Sequence, residues 1–161
     1  VIFLARADLK AIADAAEAAY PRECCGLLVG RREGADAVVV TRVCPSPNVT
    51  QDDARDSFEV SPQLRFDVMR DLGEGGAERI VGHYHSHPDH PAQPSARDLE
   101  RAWEPDLVWL ITAVADGQAI HTTAHVLDAD GRQFREVALR TLDWQPYPSR
   151  LPPGPGTDSQ G

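Results

Sequence analysis

Four histidines, His83, His85, His87 and His90, fall within eight positions of the stretch GHYHSHPDHPAQPSARD, residues 82–98. Ser95 and Asp98 close that stretch. Imidazole and carboxylate are both zinc ligands. His85 and His87 stand two apart at the end of RIVGHYHS, residues 79–86, which reads as a strand. Side chains at i and i+2 of a strand project to one face, so two imidazoles can converge on one ion. Ser95 and Asp98 are three apart where a helix begins, and such positions share a helical face. Two imidazoles and a carboxylate leave one tetrahedral position for water, the make-up of a catalytic zinc site. Each piece also has a plainer reading. Ser95-x-x-Asp98 looks like a helix N-cap with a first-turn acid. Histidines in a polar loop are solvated or bind metal adventitiously. The combination favours the metal, because the strand end and the helix start occur in order, separated by a short proline-rich loop.

Metal-assisted hydrolysis also needs a carboxylate outside the metal shell to take a proton from water and pass it to the leaving amine. Glu23 is the candidate. It stands at the start of the apolar run ECCGLLVGR, 23–31, where a charge demands explanation. Its alternative is a solvated strand end.

These residues need a scaffold. Residues 1–5 read as a strand. A helix is expected from Asp8 to Tyr20, with Leu9, Ile12, Ala16 and Ala19 on one face and Pro21 at its end. Strands are expected over 23–31 and 37–43, joined as a hairpin through Glu33-Gly34. A polar loop, 44–57, follows, and FEV, 58–60, is a short strand. Ser61-Pro62 starts a helix that runs to Leu72. After strand 79–86 come a helix over 95–103 and three strands, 106–114, 118–128 and 133–140, turning at Asp116-Gly117 and Asp130-Gly131. This alternation predicts an α/β or α+β domain with a mixed sheet over residues 1–142. The tail, 143–161, is rich in proline, glycine and serine and is expected to be disordered.

The 161 residues suit one core. The net charge is −9, and no basic cluster stands out, which argues against nucleic acid and an anionic membrane as partners. No apolar run approaches the roughly 20 residues that span a bilayer, and no signal peptide is recognisable. Three cysteines, two of them adjacent, do not form a disulfide framework. A cytoplasmic location is expected.

Glu23, then His85-Ser86-His87, seven residues, Ser95, two residues and Asp98 resemble the JAMM motif of the MPN-domain (JAB-domain) zinc metalloproteases. PRECCGLLVG, 21–30, is similar to the family's segment around its glutamate, and VGHYHSHP, 81–88, to its metal strand. The order of elements agrees over roughly residues 1–140, and the short form resembles the prokaryotic branch. The resemblance implies a cytidine-deaminase-like curved mixed sheet flanked by helices. It implies one zinc held by His85, His87 and Asp98, with Glu23 as general acid/base and Ser95 hydrogen-bonding the oxyanion. It selects the pair His85/His87 over His83/His85. His83 departs from the bulky apolar or aromatic residue expected there and is read as packed; Tyr84 should point to the opposite face, into the core, and His90 lies in the loop.

The implied activity is a zinc-dependent peptidase or isopeptidase. Its implied partner is a ubiquitin-like β-grasp protein, a sulfur carrier or protein modifier, cut after a C-terminal Gly-Gly that fits a narrow groove. Loop 44–57 and Trp103-Glu104-Pro105 are expected groove walls. The alternative from another class is a non-catalytic MPN-type scaffold that binds a protein. A thiol protease would use Cys24 or Cys25, which read instead as buried packing residues. A nucleoside deaminase is set aside, because its His-x-Glu and Cys-x-x-Cys are absent.

Overall fold

The computed structural model describes residues 1–102 and 106–146. Eleven elements are formed in these residues: β1 (Ile2–Ala5), α1 (Arg6–Ala19), β2 (Cys25–Glu33), β3 (Ala37–Ser46), α2 (Pro62–Leu72), β4 (Arg79–Pro88), α3 (Ala96–Arg101), β5 (Val108–Ala115), β6 (Gln118–Leu127), β7 (Phe134–Val137) and β8 (Leu139–Leu142). The eight strands form one mixed sheet in the order β7-β6-β5-β4-β2-β3-β1-β8. The α+β mixed-sheet expectation holds.

The two ends of that order are consecutive in the chain, with only Ala138 between β7 and β8. The sheet must therefore curve until its edges approach, and the Ile2 amide donates to the Ala138 carbonyl at 2.8 Å. The expected single strand over 133–140 is corrected here: the chain leaves β6 at Ala138 and continues as a parallel partner of β1. A local sequence window carries no sign of such a change of partner.

One face of the sheet packs on α1. Ile12 and Ala16 are buried there with Leu4, Leu28, Tyr84 and Leu110, and Leu9 and Ala19 pack against them, as their spacing predicts. The helix starts at Arg6, two residues earlier than expected, because Ala5 at its N-cap offers no capping side chain to read. The other face carries Leu27, Val29, Phe58, Val68 and Trp109, covered in part by α2. Ser61 caps α2 through its side chain, with Pro62 at the first position, as expected. Gly26 and Tyr84 are cross-strand partners, and the Tyr84 ring fills the space where a Gly26 side chain would lie.

Three further boundaries shift. β3 extends to Ser46, so the connection to α2 begins only at residue 47. FEV makes an isolated bridge, Asn48 to Val60, in place of a strand. α3 ends at Arg101, and Trp103-Glu104-Pro105 lie outside the described residues. Of the tail, Asp143 accepts from Arg6 at 3.1 Å and Gln145 donates to Asp8 and to the Thr41 carbonyl, each at 3.0 Å. The remainder, 147–161, lies outside the described residues.

Candidate metal centre and active site

β4 carries His83, His85 and His87 on the face where Phe58 and Trp109 pack. Tyr84 points to the other face and is buried in the α1 core, as expected. β4 runs antiparallel to β2 with Cys25 opposite His85. Two residues back along the chain, Glu23 comes opposite His87. The two strands are locked at this point by Ser86, between the histidines. Its Oγ accepts from the Cys24 amide at 2.8 Å, and its own amide donates to the Cys24 carbonyl at 3.2 Å.

α3 supplies the carboxylate. Ser95 Oγ accepts from the Asp98 amide at 3.0 Å, and Asp98 Oδ2 accepts from the Ser95 amide at 2.9 Å, a reciprocal capping box. The cap and the site are one arrangement, because the cap holds the Asp98 carboxylate against the histidines. Asp98 Oδ2 lies 3.3 Å from His85 Nε2 and 3.1 Å from His87 Nε2, and the two nitrogens are 3.0 Å apart. A tetrahedral zinc with bonds of about 2.0–2.1 Å requires ligand atoms about 3.3–3.4 Å apart. Three donors within a few tenths of an ångström of that spacing fit the ion. Glu23, His85 and His87 also offer donor atoms within 4.8 Å of one another. Asp98 matches the zinc spacing more closely, since Glu23 Oε1 stands 3.9 Å from His87 Nε2 and Asp98 Oδ2 stands 3.1 Å from it.

Electrostatics separates the two carboxylates. Burial alone would raise the Asp98 carboxyl, but its contacts with His85 and His87 outweigh that and hold it well below the usual range. Glu23 is 4% exposed, and its Oε2 has no hydrogen-bond partner among the described residues. Burial, partly offset by His87, pushes its carboxyl up to about 8. The two carboxyls are thus driven apart: Asp98 stays charged beside the imidazoles, and Glu23 is moved up toward neutral pH.

Neighbours fix the histidines. His87 Nδ1 is 2.8 Å from the Pro91 carbonyl, which can only accept, so Nδ1 carries a proton and Nε2 is the ring nitrogen turned toward Asp98 and His85. Thr123 Oγ1 donates to the adjacent Ala92 carbonyl at 2.5 Å and lies 2.8 Å from His125 Nε2. Phe58 stacks on His85 at 4.2 Å between ring centroids. His83 is packed, as expected: it is 7% exposed, 4.1 Å from the Trp109 ring, and burial pushes its pKa down to about 3. Ser86, Thr123, His125 and Phe58 were not singled out from the sequence. They act on the site through register and packing, which leave no local signature.

Two hollows flank the donors. A cleft of about 460 Å³ is lined by Glu23, His87, His90, Pro91 and Ser95. A groove of about 910 Å³ is lined by Phe58, Val60, Phe66, His83 and Trp109. The loop after β3 walls both: Gln51 and Asp52 line the groove, and Arg55 and Asp56 line the cleft. Arg97 and Arg101 on α3 tie that loop down, at 3.4 Å to Asp56 and 3.0 Å to Asp52.

Residues 6–126 match the model of a family described as prokaryotic homologs of the JAB domain. Over 119 residues the chain is 37% identical to a protein of Haloferax volcanii named desampylase, covering 74% of this chain and 78% of that protein. It is 37% identical over 82 residues to a probable TtuB-protein conjugate cleaving protease of Thermus thermophilus, about half of each chain. The solution structure of a protein from Desulfitobacterium hafniense superposes with a TM-score of 0.71 at 31% identity, covering 88% of this chain and 94% of that one.

Proposed function

The chain belongs to the family of prokaryotic homologs of the JAB domain, and from that membership we propose that it is a JAMM-type zinc isopeptidase that releases ubiquitin-like proteins from their conjugates. The reaction class rests on the two relatives, whose names describe removal of a protein tag and cleavage of a protein conjugate. The observation that carries the chemistry is the convergence of His85, His87 and Asp98 within 3.0–3.3 Å, with buried Glu23 beside His87.

His85 Nε2, His87 Nε2 and Asp98 Oδ2 would hold the zinc. When bound there, the ion supplies Lewis acidity to the scissile carbonyl and to the attacking water. Glu23 takes the proton from that water and delivers it to the leaving amine, a task suited to a carboxyl held near neutrality. The Ser95 hydroxyl spends a lone pair on the Asp98 amide, so its proton is left to donate to the oxyanion. The scissile amide lies across the donors, with the two halves of the substrate in the flanking hollows. An extended Gly-Gly terminus before that amide gives the acyl half the thin backbone that the buried site admits. Three buried thiols, none of them in a disulfide, suit the reducing cytoplasm in which we place this reaction.

The test uses a β-grasp carrier extended beyond its Gly-Gly by a peptide, or joined through it to a lysine, followed by mass. Cleavage after glycine that stops with a zinc chelator is expected. Glu23→Gln should retain stoichiometric zinc and lose turnover, because an amide accepts no proton. A fully active Glu23→Gln would reject the assigned base. Zinc bound with every carrier left intact would favour a protein-binding scaffold.

A further inference from the structure

Glu23 stands one residue beyond the Cys24–Ser86 bonds that end the pairing of β2 with β4, since β2 begins at Cys25. Its backbone is held by the loop between β3 and α2. The Glu23 amide donates to the Ala54 carbonyl at 2.6 Å. The Glu23 carbonyl accepts from Asn48 Nδ2 at 3.1 Å. Asn48 Nδ2 also donates to the Ser57 carbonyl at 3.0 Å, while Asn48 Oδ1 accepts from the amides of Thr50 at 3.2 Å and Glu59 at 3.0 Å. A carboxamide has two N–H donors and two acceptor lone pairs, and all four are used here. One side chain thus joins both arms of the loop and fastens them to the peptide that carries Glu23.

We propose that Asn48 is a positioning residue for Glu23, setting where the carboxyl sits relative to His87; this rests on the isopeptidase reading above. The zinc donors stand on β4 and α3 and are held by Ser86, the Ser95–Asp98 cap and the Pro91 carbonyl, none of which touches Asn48. Loss of the two bonds that Asn48 donates therefore frees the Glu23 peptide, while Ser86, the cap and the Pro91 carbonyl keep the donors in place. A displacement of about 1 Å in a reacting group costs on the order of 10²-fold in rate.

Asn48→Asp is the informative variant. It is isosteric and keeps both accepted bonds, so the loop's own turn survives. It loses both donated bonds and sets a carboxylate oxygen against the Glu23 carbonyl. Thr50→Val is the control: it removes the Thr50–Ser57 hydroxyl contact and the bond from the Asp52 amide in the same loop, with no contact to Glu23. In one cleavage series with wild type and Glu23→Gln, Asn48→Asp should lower kcat by about 10²-fold with KM unchanged, and Asn48→Ala, which also frees the loop that walls both hollows, should lower kcat at least as far. Zinc affinity, measured by competition with a chromophoric chelator, should be unchanged in both. Hydrogen exchange at the Glu23 amide should accelerate in both and stay slow in Thr50→Val. A wild-type kcat in Asn48→Asp overturns the proposal, as does equally accelerated exchange of the Glu23 amide in Thr50→Val or a parallel loss of zinc. If the wild-type protein cleaves no carrier, the isopeptidase reading fails by itself. The Glu23 amide then decides the clamp: unchanged exchange in Asn48→Asp rejects it.

Discussion

Ser95 caps α3 with its Oγ, the proposed mechanism gives the same oxygen a second task, and the two are separable by measurement. As a cap, its Oγ accepts from the Asp98 amide. As a donor to the oxyanion, it uses its proton. Ser95→Ala should cost about 1 kcal/mol of stability through the lost cap and lower kcat by about 10²–10³-fold. A melting curve and a rate on the same preparation check this. A loss of stability without a loss of rate would leave Ser95 a cap alone. The thiols give the opposite kind of prediction. Cys24, Cys25 and Cys44 are all buried, and burial pushes the Cys25 thiol up to about 12. Neutral alkylating reagents at pH 8 should leave turnover intact and label the thiols only on unfolding, which a thiol protease would not tolerate. The linkage has a definite sign. Between about 9 and 12 the unfolded chain sheds the Cys25 proton and the folded chain keeps it, so stability falls as pH rises through that window. Denaturant midpoints across pH 8–11 should decline less in Cys25→Ala than in wild type.

Among the elements, β6 reaches the site without entering it. Thr123 holds the Ala92 carbonyl, and the neighbouring Pro91 carbonyl fixes the proton on His87 Nδ1. Thr123→Val should therefore weaken zinc binding by about tenfold, within the range for groups that orient metal ligands. Thr123→Ser should restore it, and a competition titration reads both. Unchanged affinity in Thr123→Val would show that the proline loop keeps its shape unaided. α3 illustrates how a local motif can serve tertiary ends. Its capping box was legible in Ser95-x-x-Asp98, and so was its alternative as a ligand. In the structure the capped Asp98 carboxylate also lies against His85 and His87. β2 illustrates the reverse. Glu23 read as the first residue of a strand, but the strand starts two residues later, and Glu23 hangs from a loop whose composition marked it only as polar.

Across the fold, the proposed zinc donors come from β4 and α3, which the folded chain holds against each other, so metal binding would be linked to folding. Saturating zinc should raise the midpoint of thermal unfolding by mass action, with the shift growing as free zinc rises above Kd. Asp98→Ala should abolish most of that shift. An equal shift in Asp98→Ala would mean that the stabilising zinc binds elsewhere. Among the described residues no helix is long and apolar enough to cross a membrane.

The sequence by itself determined the chemistry-bearing residue types, their spacing and the elements that carry them. His-x-His fixes one strand face through the period of two, and Ser-x-x-Asp fixes one helical turn. Leu9, Ile12, Ala16 and Ala19 fix the buried side of α1. These are local rules, and they survive folding because each rests on neighbours within four residues. Tertiary structure decided what depends on distant partners. It set β2 against β4 so that Glu23 faces His87, split the last strand at Ala138 to bring the sheet edges together, and hung Glu23 from Asn48. It also buried Glu23 among few polar partners, which raises its carboxyl, and gave Asp98 two imidazoles, which lower it. Register and burial depend on partners far along the chain, as the 25 positions between Asn48 and Glu23 show; no short window of sequence contains both members of that pair.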